Sequence, residues 1–324
     1  MSKTEQNTKP IRDGFGAGLL SLGRHNSQVV ALSADLTESV RMEEFSRKYP
    51  ERFFQVGIAE QNMAGIASGL ALSGYIPFIG SFACFQPMRN LDQIRTSICM
   101  MNANVKIVSS HAGFSYPADG IQIQALEDVG IMRSLPNMTV VVPADYEQAS
   151  ELTVQSIAID GPVYIRLGRS ATPILRLRKD SKDIQPIDLG EAQLVRAGSD
   201  VVFITYGYMV NQCLDVALEL EKVGIYAGVL NMHTIKPIDA EAICDAGAHS
   251  GNIVVVEEHQ GYTGLVELVA KILLENSVSA KFLSISVEDK FGRTAKTQEE
   301  LWQVYGLDKA SILARTKTLL GVSK

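Results

Sequence analysis

A chain of 324 residues with 46% hydrophobic and 20% charged residues has room for two domains of ordinary size, each with a sizeable core. Its net charge of −6 argues against wholesale binding to nucleic acid or to an anionic membrane, and still allows a local basic site for a phosphorylated metabolite. No apolar run is long enough to span a bilayer, MSKTEQNTKP lacks the apolar stretch of a signal peptide, and Cys84, Cys99, Cys213 and Cys244 show no CxxC spacing, so a cytoplasmic protein with reduced thiols and no metal cluster is expected.

Short β-branched runs alternate with amphipathic stretches along the first half. Strands are predicted at 29–35 (VVALSAD), 53–57 (FFQVG), 77–82 (PFIGSF), 105–111 (VKIVSSH), 139–145 (TVVVPAD) and 163–168 (VYIRLG). Helices are predicted between them, as at 59–74 and 88–102. Buried runs that alternate with helices imply a mostly parallel sheet covered on both faces. A polar stretch at 174–193, with a charge run and a proline, reads as an interdomain linker. The pattern then restarts, with strands predicted at 201–207, 226–232, 252–259 and 281–289 and helices at 211–224 and 264–276. The expected fold class is therefore α/β with two doubly wound domains, residues 1–180 and a smaller one at 181–324.

Parallel sheets bind ligands beyond the C-terminal ends of their strands. Asp35, Glu60, Phe82 and His111 lie at or just after four such ends, so the fold gathers them along one edge. Glu60 falls in the first turn of a predicted helix. An acidic residue there is ordinarily explained by the helix dipole. The functional alternative is a partly buried carboxyl that shares a proton with a ring nitrogen, with small neighbours that admit a flat ligand. Phe82 and Phe85 in GSFACF are core aromatics on the plain reading and a stacking surface for a heteroaromatic ring on the other. The loop 111–128 (HAGFSYPADGIQIQALED) is long and polar, a composition that in loops after parallel strands accompanies function. Arg166 and Arg169 are either surface charge or a phosphate clamp. The sequence has no GxSxG elbow, no HExxH and no GxxxxGK[ST], and the GFGAG at 14–18 lies in a predicted helix rather than after a strand.

Taken in order, ADLTES (34–39), VGIAEQNMAG (56–65), GSFACF (80–85), HAGFSYPADG (111–120) and YIRLGR (164–169) resemble the second half of transketolase. HTIKPID (233–239) and VVVEEHQG (254–261) extend the resemblance through the C-terminal domain, so it runs from about Arg12 to the end of the chain. It implies a pyrimidine-binding domain followed by a transketolase C-terminal domain, and transfer of a two-carbon ketol unit between sugar phosphates with thiamine diphosphate. Glu60 matches the family glutamate that contacts the pyrimidine nitrogen. Phe82 and Phe85 resemble the aromatic wall around that ring, and Asp35 a residue near the cofactor. Ser39 and Arg169 resemble groups that hold the sugar phosphate; His111 and Asp119 resemble groups that hydrogen-bond donor hydroxyls and assist proton transfer.

Two departures shape the expectation. The family's glycine-aspartate-glycine motif and its downstream asparagine, which bind Mg²⁺ and the diphosphate, have no match, so no metal ligand is assigned here. These ligands are expected on a separate diphosphate-binding subunit, in an α₂β₂ heterotetramer. Four positions after Asp119, where the family often has histidine or glutamine, stands Ile123, flanked by Gln122 and Gln124; a deoxy, branched or otherwise modified donor sugar follows as a hypothesis. The rival readings are a beta-type subunit of a 2-oxo acid dehydrogenase, a relative of 1-deoxyxylulose-5-phosphate synthase, and a non-catalytic paralogue that only binds a partner.

Overall fold

The computed structural model describes residues 8–178, 184 and 186–322. The expected boundary between 180 and 181, and the middle of the expected linker, lie outside those residues. The elements run β1 (Thr8–Pro10), α1 (Ile11–His25), β2 (Val29–Ser33), α2 (Glu43–Lys48), β3 (Phe53–Gln55), α3 (Glu60–Leu72), β4 (Ile76–Phe82), α4 (Leu91–Gln93), β5 (Lys106–Ser110), α5 (Asp128–Ser134), β6 (Thr139–Val141), α6 (Tyr146–Gln155), β7 (Val163–Arg166) and β8 (Ala171–Pro173). There follow β9 (Gln193–Arg196), β10 (Val201–Thr205), α7 (Met209–Glu221), β11 (Ala227–Asn231), β12 (Thr234–Lys236), α8 (Ala240–Ser250), β13 (Asn252–Gln260), α9 (Leu265–Glu275), β14 (Lys281–Val287), α10 (Gln298–Tyr305) and α11 (Lys309–Leu320).

A seven-stranded sheet has the order β12-β6-β7-β5-β4-β2-β3, parallel except for β12. A five-stranded sheet has the order β14-β13-β10-β11-β9, parallel except for β9. Side chains alternate along each strand and feed two cores. Val29, Ala31, Phe78, Ile165 and Phe203 belong to one; Val30, Leu32, Ile79, Tyr164 and Ile204 belong to the other. Strands buried on both faces need helices on both sides, which is the doubly wound arrangement expected.

Helix α1 shows how local sequence sets the packing. Ile11, Phe15, Leu19 and Leu22 share its buried stripe. Each such side chain, fully buried, contributes about 1.5–3 kcal/mol. A Cβ on Gly14 would run into the Tyr146 carbonyl, and one on Gly18 would stand 2.8 Å from that of Ser150. Gly14 and Gly18 of GFGAG therefore serve close packing of α1 on α6, and Gly16 packs against Arg41, with no phosphate-binding turn involved.

Four short strands, β1, β8, β9 and β12, were not expected, being three or four residues long with no readable period. The helix expected over 88–102 is also corrected: α4 passes directly into a π-helical turn at Ile94–Cys99, which keeps Ile94, Ile98 and Cys99 buried.

Candidate active site

The parallel strands β7, β5, β4, β2 and β3 are neighbours, so their C-terminal ends form one continuous edge. Asp35 follows β2 at φ 59° and His111 follows β5 at φ 60°. This left-handed backbone costs a non-glycine residue on the order of 1–2 kcal/mol and turns the chain sharply at each strand end. Asp35 is exposed; its N–H donates to Gln55 Oε1 at 2.7 Å, while Gln55 Nε2 donates to Thr37 Oγ1 at 3.0 Å. One side chain from β3 thus pins the turn that carries Asp35 and Ser39.

Glu60 opens α3 and is 1% exposed. Its Oε2 pairs with Arg89 Nη1 at 2.8 Å, its Oε1 accepts from Ser81 Oγ at 3.3 Å, and its backbone carbonyl accepts from Asn90 Nδ2 at 3.2 Å. Arg89 is itself 44% exposed in its side chain and lies 4.4 Å over the Phe85 ring. Phe82 and Phe85 have nearly parallel ring planes, tilted by 14°, with centroids 6.0 Å apart. A buried carboxylate thus sits beside two almost parallel phenyl rings, a donor set suited to a flat heteroaromatic ring with a polar edge.

Phe82 joins this cluster to a second one, because its ring centroid is 3.8 Å from that of His111. His111 Nδ1 is 2.8 Å from Ser110 Oγ, and Nε2 is 3.4 Å from Arg12 Nη1. A guanidinium only donates, so Nε2 is the acceptor and the ring proton sits on Nδ1. Arg12 Nη1 also donates to the Ser39 carbonyl at 2.9 Å. Tyr116 meets His111 edge-on, and the Arg169 guanidinium lies 4.5 Å over the Tyr116 ring. Arg41 is tied to Asp13 at 2.6 Å.

Charge in this second cluster is lopsided. Burial and then Arg12, Arg169 and Arg41 push the His111 pKa down to about 3. Burial and then Arg41 and Arg169 also lower that of Arg12. Neighbouring guanidinium groups that repel one another mark a place where an anion is welcome. The sign of the stability effect follows. Unfolded histidine titrates near about 6.5, and folded His111 takes its proton only near pH 3. Below about pH 6.5 the unfolded chain therefore binds a proton that the folded chain refuses, and stability falls by about 1.4 kcal/mol per pH unit until pH 3. His111→Gln is expected to flatten the loss of denaturation midpoint between pH 6.5 and 4; an unchanged slope would mean that His111 is not held neutral.

Other expected residues are placed differently. Asp119 is exposed and precedes the 3-10 turn Gly120–Gln122. Gln124 is buried, and its Nε2 donates to the Arg293 carbonyl at 2.9 Å while its Oε1 has no partner; Gln122 is exposed. Arg166 is not a clamp: it is buried and paired with Asp128 at 2.9 Å, and it donates to the Glu258 carbonyl at 3.1 Å. Sequence reasoning missed Arg12, Arg41, Arg89 and Tyr116. Only Tyr116 carried a signal, as an aromatic inside the polar loop after β5.

Among the described residues no cluster of three or more His, Cys, Asp or Glu is placed to hold a metal ion. The profile of the transketolase pyrimidine-binding domain matches residues 7–174. The chain belongs to the transketolase family. The transketolase C-terminal domain profile matches residues 190–312. The chain is 35% identical over 301 residues to one subunit of the apulose-4-phosphate transketolase of Phocaeicola vulgatus, covering 93% of this chain and 94% of that one. It is 38% identical over 303 residues to a 6-deoxy-6-sulfo-D-fructose transketolase subunit of a Clostridium species, covering 94% and 92%. A solved split-gene transketolase, an inactive β4 tetramer, superposes with a TM-score of 0.86 at 38% identity, over 97% of this chain and 99% of that one. Against longer family members, among them 1-deoxy-D-xylulose-5-phosphate synthases at 30–31% identity, the chain spans 47% of their length.

Proposed function

We propose that this chain is the pyrimidine-binding and C-terminal half of a two-subunit transketolase that moves a two-carbon ketol unit between sugar phosphates. The contact between Phe82 and His111 carries the reading: it joins a carboxylate–aromatic cluster to an arginine-rich cluster on one sheet edge. Thiamine diphosphate, when bound, supplies the carbon nucleophile and the electron sink for ketose cleavage. The residues fit its pyrimidine end. Glu60 holds a proton at the edge of the ring, and Phe82 and Phe85 cover its faces and exclude water. Arg12, Arg169 and Ser39 orient the sugar phosphate, and His111, neutral and held by Ser110, exchanges hydrogen bonds with the donor hydroxyls. Asp35 borders the cofactor side, and Asp119 reaches the donor.

The Mg²⁺ and diphosphate ligands belong, in this reading, to a separate subunit of a cytoplasmic α₂β₂ enzyme. The half-length match to longer relatives and the subunit names of full-length relatives support it. Titrating thiamine diphosphate with Mg²⁺ into the chain alone, and into the chain with its diphosphate-binding subunit, tests this. Tight binding is expected only in the second case; equally tight binding to the chain alone rejects the division of labour.

Ile123 points to a donor other than an ordinary ketose phosphate, since a half-buried isoleucine makes no hydrogen bond to a hydroxyl. The names of the two transferase relatives, for apulose-4-phosphate and for 6-deoxy-6-sulfo-D-fructose, support a modified sugar. In a panel of donors, a modified sugar is expected to give the highest kcat/KM; a clear preference for xylulose 5-phosphate would sink this assignment.

A further inference from the structure

The arginine-rich cluster is built on loops of the first sheet, but its supports come from the second half of the chain. Gln298, Trp302 and Tyr305 lie on one face of α10, at i, i+4 and i+7. The first two grip a single buried carboxylate: Glu258 Oε1 accepts from Gln298 Nε2 at 3.0 Å and from Trp302 Nε1 at 2.6 Å. Glu258 Oε2 makes no well-formed hydrogen bond and presses on the backbone of Gly113, where a Cβ would collide with it. Gly113 is two residues past His111 and has φ 62°. Tyr305 stacks on Phe114, one residue further along, with ring centroids 4.7 Å apart. Tyr208, 6.2 Å from Trp302, donates its hydroxyl to the Ser170 carbonyl at 2.8 Å, beside Arg169.

The His111 loop therefore rests on Glu258 and the α10 face, and the Arg169 turn rests on Tyr208, the neighbour of Trp302. Burial pushes the Glu258 carboxyl up, while Arg166, the α10 donors and the Phe114 backbone N–H pull it back down, so this costly buried acid ties α10 to the backbone of the 111–117 loop. We propose that Glu258, held by Trp302 and Gln298, is the positioning residue through which the C-terminal domain sets the geometry of the anion clamp. This rests on the reading of Arg12, Arg169 and His111 as a phosphate site.

The test uses the full chain with inorganic phosphate as the probe, read by calorimetry and by hydrogen exchange of residues 111–117 and 168–170. Wild type, Glu258→Ala, Glu258→Gln and Arg169→Ala are compared. Glu258→Ala is expected to weaken phosphate binding about tenfold or more and to speed exchange in those two segments while β2 and β4 stay protected. Glu258→Gln, whose amide oxygen still accepts from Trp302, is expected to restore binding to within about threefold of wild type. Should Glu258→Ala fail to fold, Gln298→Met removes one donor at similar volume and is expected to weaken binding about threefold. Phosphate affinity unchanged in Glu258→Ala, or lost with exchange raised evenly along the chain and no rescue by glutamine, overturns the proposal. No phosphate binding in wild type, with loosening of 111–117 in Glu258→Ala still present, instead rejects the phosphate site and leaves the loop support standing.

Discussion

Glu60→Ala is expected to lower ketol-transfer turnover of the assembled enzyme by about 10³-fold, within the range that a positioned proton-transfer group contributes. The loss is local because Glu60 is held from three sides by Ser81, Arg89 and Asn90, and the Asn90 bond goes to its backbone carbonyl, which the substitution leaves in place. Helix α3 and subunit assembly are therefore expected to survive. Glu60→Gln sharpens the test, since its amide oxygen still accepts from Ser81 and its shape is unchanged, yet it cannot exchange a proton with a ring nitrogen. Steady-state kinetics beside sedimentation of the complex decide the matter: an unaffected rate in either variant rejects the role given to Glu60.

The second large effect is at Arg169. Arg169→Ala is expected to raise KM for a phosphorylated donor by about 30- to 100-fold, the loss of a charge-assisted hydrogen bond worth about 2–3 kcal/mol. KM for the same sugar without its phosphate is expected to change little. Arg169→Lys keeps the charge but gives up the planar fork and the stacking on Tyr116, and should fall between the two. Equal losses for phosphorylated and unphosphorylated donors would show that Arg169 does not read the phosphate.

Much of the first sheet was readable because its strands are long and buried on both faces, which leaves apolar runs such as 29–35 and 163–168 bounded by polar turns. The edge that carries Asp35, Phe82 and His111 followed from those strand ends and from parallel connectivity. Glu60 was picked out as a carboxylate in a first turn, and the structure adds the reason for attention, burial opposite Arg89. Arg12 and Arg41 were invisible to pattern reading because they enter the cluster from the start of α1 and from the turn after β2, joined only by tertiary contact. Arg166 misled for a related reason. Two arginines three residues apart look alike in sequence, but Arg166 is a strand residue whose side chain enters the core toward Asp128, whereas Arg169 lies beyond the strand end. Nor could pattern reading show that Gln124 is tied by its amide nitrogen to a partner from the far end of the chain, the Arg293 carbonyl.

The outermost strand of the first sheet, Thr234–Lys236, comes from the second half, and both apolar cores run through both sheets. The halves are consequently interlocked rather than strung together. A protease cut between them is expected to leave a nicked protein that sediments and melts as one body, with a single cooperative transition. A fragment ending near residue 180 would lack β12, leaving the hydrogen-bonding edge of β6 bare, and would invite strand-to-strand aggregation instead of behaving as a free-standing module.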